Sequence, residues 1–230
     1  MSEPHSITVR QLGRVPYNES WQAMQDFTEQ RDETTPDEIW AVEHSPVFTL
    51  GRAAEAKHLL NPGDIPIVKI DRGGQVTYHG PGQIVLYTML DLKRKKLGVR
   101  ELVTILEQSM TKLLEKIGIA AAPRRNAPGV YLTQGRECGA KIGAIGLRIK
   151  RGRSFHGLSL NIDMDLSPFL SINPCGYAGL AVSQVSDQIS DKIAEPVRIA
   201  TIERMLIEEL MTLLNYEQIN YREKIWSRDE

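Results

Sequence analysis

The sequence predicts a single α+β domain, residues 1–230, built on a mixed β-sheet flanked by helices. Three observations carry that reading: short β-branched, apolar runs dominate, Pro and Gly punctuate them, and helices enter without a regular βαβ alternation. A chain of 230 residues suits one domain with an ample core. No internal repeat or linker divides it.

The elements follow in order. Alternation in Ile7-Thr8-Val9 predicts a first strand, and Trp21, Met24 and Phe27 at helical spacing predict a helix after Asn18. Strands are expected at 39–43, 47–50, 65–70 and 83–90. A helix over 99–117 carries Leu102, Ile105, Leu106, Met110, Leu113 and Leu114 on one stripe, with Gly118 as its stop. Strand patterns return at 129–132, 142–150 and 154–163, and Pro196 is expected to open a last helix over about 196–215.

Hydrophobic residues at 41% and charged residues at 25% exclude a disordered or fibrous chain. A net charge of −1 argues against bulk attraction to nucleic acid or membrane. No apolar run reaches the roughly 18 residues of a membrane span, and MSEPHSITVRQLG lacks a signal-peptide core, so a cytoplasmic protein is expected. Cys138 and Cys175 are too few for a disulfide framework and lack zinc-site spacing; no metal is expected.

Chemistry concentrates at Cys175, in the turn-rich Asn173-Pro174-Cys175-Gly176-Tyr177-Ala178-Gly179, and at Lys141 in an apolar, glycine-spaced segment. A free thiol is only a few per cent thiolate at neutral pH, so a nucleophilic cysteine needs a base or cation beside it. A lysine supplies both. Cys138 is the rival nucleophile, but in an extended strand residues three apart face opposite sides, which would turn Lys141 away from it. The segment from Arg72 to Gln83 (Arg72, Gly73, Gly74, Gln75, Val76, Thr77, Tyr78, His79 and onward) packs glycines and polar side chains between apolar strands. It suits backbone approaching a ligand, or equally a tight hairpin. Ala144-Ile145-Gly146 and Gly157-Leu158-Ser159 flank the basic turn Lys150–Arg153, so pairing of their strands would put both small-residue patches at one place, whether for a ligand or for close packing. His44, His79 and His156 have no metal-helix spacing and no carboxylate nearby in sequence; substrate contact is favoured for His79 and a supporting role for the other two. The clusters at 93–96, 124–125 and 148–153 read as solvated faces or as a docking surface for an acidic partner.

The ordered series EHSPVFTLG, DIPIVKIDRGGQVTYHGPGQIVLY, KLGVRELV, APGVY, KIGAIGLRIKRG, SFHGLSLN and NPCGYAG, over about residues 42–179, resembles the lipoyl(octanoyl) transferases, octanoyl-[acyl carrier protein]–protein N-octanoyltransferases of the biotin/lipoate protein ligase-like superfamily. The resemblance implies that superfamily's catalytic fold and transfer of an octanoyl group from octanoyl-acyl carrier protein to a lysine of a lipoyl domain, through a cysteine thioester. Cys175 and Lys141 take the catalytic positions; Arg72–His79, Ala144–Gly146 and Gly157–Ser159 take the substrate-binding ones. Some relatives read KICSLG where Gly143 and Ala144 stand here, a difference in the pocket wall. The implied acceptors are the lipoyl domains of 2-oxoacid dehydrogenase complexes and the glycine cleavage H protein. The only implied cofactor-like group is the 4′-phosphopantetheine arm of the donor carrier. Two rivals remain open: an ATP-dependent lipoate or biotin ligase of the same fold, and a non-catalytic acyl-binding protein in which Cys175 is inert.

Overall fold

A computed structural model describes residues 6–189 and 199–226. Eleven strands and three α-helices are found among them: β1 Ser6–Arg14, α1 Tyr17–Gln30, β2 Glu38–Glu43, β3 Val47–Leu50, β4 Ile67–Lys69, β5 Val76–His79, β6 Gln83–Met89, α2 Val99–Lys116, β7 Ala121–Arg124, β8 Ala127–Leu132, β9 Lys141–Lys150, β10 Arg153–Asn161, α3 Ile199–Leu214 and β11 Gln218–Arg222. Eight strands form one sheet in the order β11-β1-β2-β6-β10-β9-β8-β7, and β4-β3-β5 form a smaller one. The large sheet is mixed, because β1 runs parallel to β11 and β2 while β2, β6, β10, β9 and β8 pair antiparallel.

Period-two alternation divides the core between the two faces of this sheet. Ile39, Ala41, Ile84 and Leu86 face α2 and α3, meeting Leu102, Leu106 and Met110 of α2 and Leu206, Ile207 and Leu210 of α3. Their neighbours Trp40, Val42, Val85 and Tyr87 face Met24 and Phe27 of α1. Both faces are covered, which is why β2 and β6 are apolar along nearly their whole length. Gly118 (φ 81°) ends α2 as expected; the N–H groups of Gly118 and Ile119 donate to Glu115 O (3.0 Å) and Leu114 O (2.8 Å), a Schellman closure that satisfies the last carbonyls.

Some boundaries differ from the sequence reading. The strand expected at 65–70 shortens to β4, where Pro66 supplies no donor and the residues are largely exposed. β5 lies inside a segment that composition marks as turn, and the short peripheral strands β7 and β11 have no clear alternation to announce them. Pro196, expected to open the last helix, lies outside the described residues. No described helix is long and apolar enough to cross a membrane.

Candidate active site

The site is made where β9 outruns its neighbour. Strand β8 pairs with β9 only as far as Gly129↔Ala144, leaving the stretch towards Lys150 without a β8 partner. The glycine-rich loop takes part of that edge: Gly73 N–H donates to Leu147 O at 2.9 Å. A cavity of about 380 Å³ opens between the loop, β9, β10 and the first turns of α2, the size of a small-molecule site. Expected register is observed on its wall, since Ala144, Ile145 and Gly146 pair with Ser159, Leu158 and Gly157.

Arg72, Gly73, Gly74, Gln75, Val76, Thr77, His79, Ala144, Ile145, Gly146, Gly157, Leu158 and Ser159 all border this cavity, together with Lys141 and Cys175. Tyr78 does not, and the expectation that it walls the pocket is corrected. Alternation along β5 turns Thr77 and His79 to the cavity and sends Tyr78 to the other side, where its ring packs at 5.5 Å from both Phe48 and Phe169.

Cys175 stands on a single 3₁₀ turn, Pro174–Gly176, in a left-handed conformation (φ 56°, ψ 17°) that costs a non-glycine residue about 1–2 kcal/mol. The loop is fastened on both sides of it. Asn173 N–H donates to His58 O at 2.8 Å, and the chain beyond the loop returns to pair with Lys141, through Lys141 N–H to Ala181 O (2.8 Å) and Ser183 N–H to Lys141 O (2.9 Å). A chain of buried amides anchors that return: Gln83 holds His79 (2.7 Å) and donates to Asn161 (2.8 Å), which donates to Ser183 O (2.9 Å).

The result is that Lys141 Nζ lies 3.0 Å from Cys175 Sγ and 2.9 Å from Pro128 O. It also sits 5.2 Å from the Tyr131 ring, whose π-face suits a cation. Gly129 (φ 121°) makes room for this side chain: a Cβ there would stand 2.7 Å from Lys141 Cε and 2.4 Å from Gly143 O. Cys138 is exposed, in the turn 136–139. Its separation from Lys141 is therefore not the strand alternation expected; the lysine side chain is turned to Cys175 instead.

Three histidines converge at the deep end. Burial pushes His44 down to about 4, against its hydrogen bond to Val15 O, and pushes His79 down to about 3, with His44 beside it adding to the effect. Burial likewise lowers His156, outweighing the Asp71 carboxylate 3.0 Å from its Nε2. These rings are neutral at pH 7. The charge on this wall comes from Arg72, whose guanidinium is buried and donates to Gly73 O, Thr49 O and Thr49 Oγ1 at 2.8–2.9 Å.

Sequence reasoning missed several cavity residues: Tyr17, Tyr87, Val99, Val103, Pro128, Leu147, His156 and Tyr177. Val103 carried a signal of sorts, being apolar yet off the main stripe of α2. His156 carried none as a partner of Asp71, because the two are 85 residues apart. Among the described residues, no three His, Cys, Asp or Glu side chains gather as a metal site would.

The lipoyl protein ligase A/B catalytic-domain family matches residues 16–211. An octanoyltransferase of Vibrio cholerae is 54% identical over 225 residues, covering 98% of this chain and 99% of its own. The chain belongs to the octanoyltransferase family. Another octanoyltransferase, from Marinobacter nauticus, is 52% identical and covers 94% of this chain and 98% of its own. This octanoyltransferase-family chain shares its fold with a bipartite lipoate protein ligase from Thermoplasma acidophilum (TM-score 0.73, 15% identity, covering 98% and 89% of the two chains). It is also similar to a biotin protein ligase from Aquifex aeolicus (TM-score 0.55, 11% identity, 90% and 70%). The biotin/lipoate protein ligase-like fold is thus the observed one.

Proposed function

We infer that this octanoyltransferase moves the octanoyl group in two steps by way of a thioester on Cys175, taking it from octanoyl-acyl carrier protein and giving it to a lipoyl-domain lysine. The single observation that carries the inference is the 3.0 Å contact between Lys141 Nζ and Cys175 Sγ on the wall of a largely apolar cavity.

In the first step Lys141 Nζ takes the Sγ proton, giving an ammonium and a thiolate. The thiolate adds to the thioester carbonyl, the tetrahedral oxyanion collapses, and the pantetheine thiolate leaves, receiving a proton from Lys141. In the second step a lysine amine of the acceptor adds to the Cys175 thioester. Cys175 leaves as thiolate, the surplus amine proton passes through Lys141 to that thiolate and restores the thiol, and an amide remains. A thioester is already an activated acyl group, so this route needs no metal, nucleotide or other cofactor beyond the pantetheine arm of the donor. The apolar wall formed by Ala144, Ile145 and Leu158 suits an alkyl chain. Gly73 and Gly74 leave space beside it, and the loop's backbone amides are the natural oxyanion donors.

The acceptors on this reading are the lipoyl domains of 2-oxoacid dehydrogenases and the glycine cleavage H protein, in the cytoplasm. The structural neighbour from T. acidophilum is described as part of a lipoylation system, a bipartite lipoate protein ligase and its E2 lipoyl domain, which supports that class of partner. A ligase reading draws on the same fold, and one similar structure is a lipoate-protein ligase A bound with ATP. The two part on substrate. An apo lipoyl domain incubated with the protein and octanoyl-acyl carrier protein, without ATP, is expected to gain one octanoyl group by mass. Modification that requires free octanoate and ATP would establish the ligase instead.

A further inference from the structure

The cysteine–lysine pair is linked through one backbone peptide to a third group, Glu107 of α2. Lys141 Nζ meets two acceptors, Cys175 Sγ and Pro128 O. The carbonyl of Pro128 and the N–H of Gly129 belong to one planar peptide unit. That N–H donates to Glu107 Oε1 of α2 at 3.0 Å. One peptide therefore has a carboxylate at its N–H end and the active-site lysine at its C=O end, with its dipole aligned between them. Glu107 is half-buried and, among the described residues, forms no ion pair; the one hydrogen bond of its carboxylate is the bond to this peptide. Gly129 keeps the unit close, because its left-hand backbone (φ 121°) and missing Cβ let β8 lie against Lys141.

We propose that Glu107 is a positioning residue for acyl transfer, acting through the Pro128–Gly129 peptide to hold the proton on Lys141 Nζ and so the thiolate on Cys175. The step it assists is the first one: the S–H bond of Cys175 breaks, an N–H bond forms on Nζ, and a neutral pair becomes an ion pair. A carboxylate on the peptide N–H makes the carbonyl a stronger acceptor, since hydrogen bonds in series polarise one another and those to ionised groups are the stronger ones. The stronger carbonyl favours the ammonium over the amine. The arrangement parallels a carboxylate orienting a histidine base, with a backbone peptide in place of the imidazole's second nitrogen. This inference rests on the Cys175–Lys141 reading above.

A purely structural role would leave Glu107 fastening α2 to β8. Glu107→Gln separates the two, because the amide oxygen accepts the same N–H but carries no charge. The experiment measures the rate of Cys175 carbamidomethylation by iodoacetamide at pH 7, with kcat and KM for octanoyl transfer and the melting temperature, in a Cys138→Ala background. Glu107→Gln is expected to slow alkylation and kcat by about three- to tenfold while KM and melting temperature stay at the parent's values. Glu107→Ala, which also frees the peptide, is expected to lose more. Parental alkylation and kcat in Glu107→Gln would overturn the proposal and leave the fastening role. Lys141→Ala is the reference arm. If it slows alkylation and Glu107→Gln does not, the relay alone fails; if neither does, the cysteine–lysine reading itself fails.

Discussion

Lys141 Nζ donates to one backbone carbonyl, Pro128 O, and to Cys175 Sγ, and among the described residues it pairs with no carboxylate. Its stem fills the space that the missing Cβ of Gly129 leaves. Lys141→Arg is therefore expected to lower octanoyl transfer at least about 100-fold while the melting curve stays near the parent's, since guanidinium keeps the charge but cannot take a proton at working pH. Gly129→Ala forces a Cβ into Lys141 and Gly143 O at a positive φ; an expected loss of about 1–3 kcal/mol of stability, read from urea melts, should accompany slower acyl transfer. At this scale the Cys175–Lys141 pair was legible as two candidate groups, because each sits in a short motif whose chemistry is local, and the fold brings the two within 3.0 Å. Tyr78 was misassigned because a motif reads as a run, whereas a strand turns every second side chain away. The Asp71–His156 pair and the Glu107–Gly129 bond were invisible, because only folding brings their members together.

Among the elements, the long antiparallel pair β9–β10 and helix α2 were anticipated nearly to their ends, where periodicity and a glycine stop are strong signals. β5, β7 and β11 were not, being four or five residues each and fixed by their neighbours rather than by their own pattern. The end of β2, β5 and β10 bring His44, His79 and His156 together, and this carries a consequence for pH. The folded-state values of about 4 for His44 and about 3 for His79 lie below the ordinary 6.5, so between those limits the unfolded chain binds the extra protons. Stability is then full above about pH 6.5 and falls as the pH drops towards 4. Each of the two histidines is expected to contribute about 2 kcal/mol to the loss at pH 5. Guanidinium melts at pH 7.5 and pH 5 check this, and His79→Gln should reduce the difference by about 2 kcal/mol, His44 keeping its own share; a chain equally stable at both pH values would contradict it.

Over the whole molecule, the large sheet serves as the plate on which the cavity is mounted, and the small sheet and the Cys175 loop close one side of it. Surface charge is distributed less simply than the basic runs suggest. Arg94, Arg148, Lys150 and Arg153 pair with Asp37, Asp71, Glu29 and Asp91, so the 148–153 cluster is largely engaged within the fold and the 93–96 cluster only through Arg94 among these pairs. Arg124 stacks 4.3 Å over Tyr131, and Arg125 is exposed on the turn that leads into Ala127 and Pro128 at the cavity. Arg125→Glu is expected to raise KM for octanoyl-acyl carrier protein several-fold and weaken its salt dependence, with octanoyl-pantetheine turnover unchanged. An unchanged KM would leave Arg125 a solvated side chain. A covalent relay through Cys175 leaves a mark in the intact mass of the protein after mixing with octanoyl-acyl carrier protein in the absence of ATP. One octanoyl group is expected, mapped to Cys175, lost in Cys175→Ala and retained in Cys138→Ala; an adduct on Cys138, or transfer to a lipoyl domain by Cys175→Ala at the parent's rate, would rule the relay out.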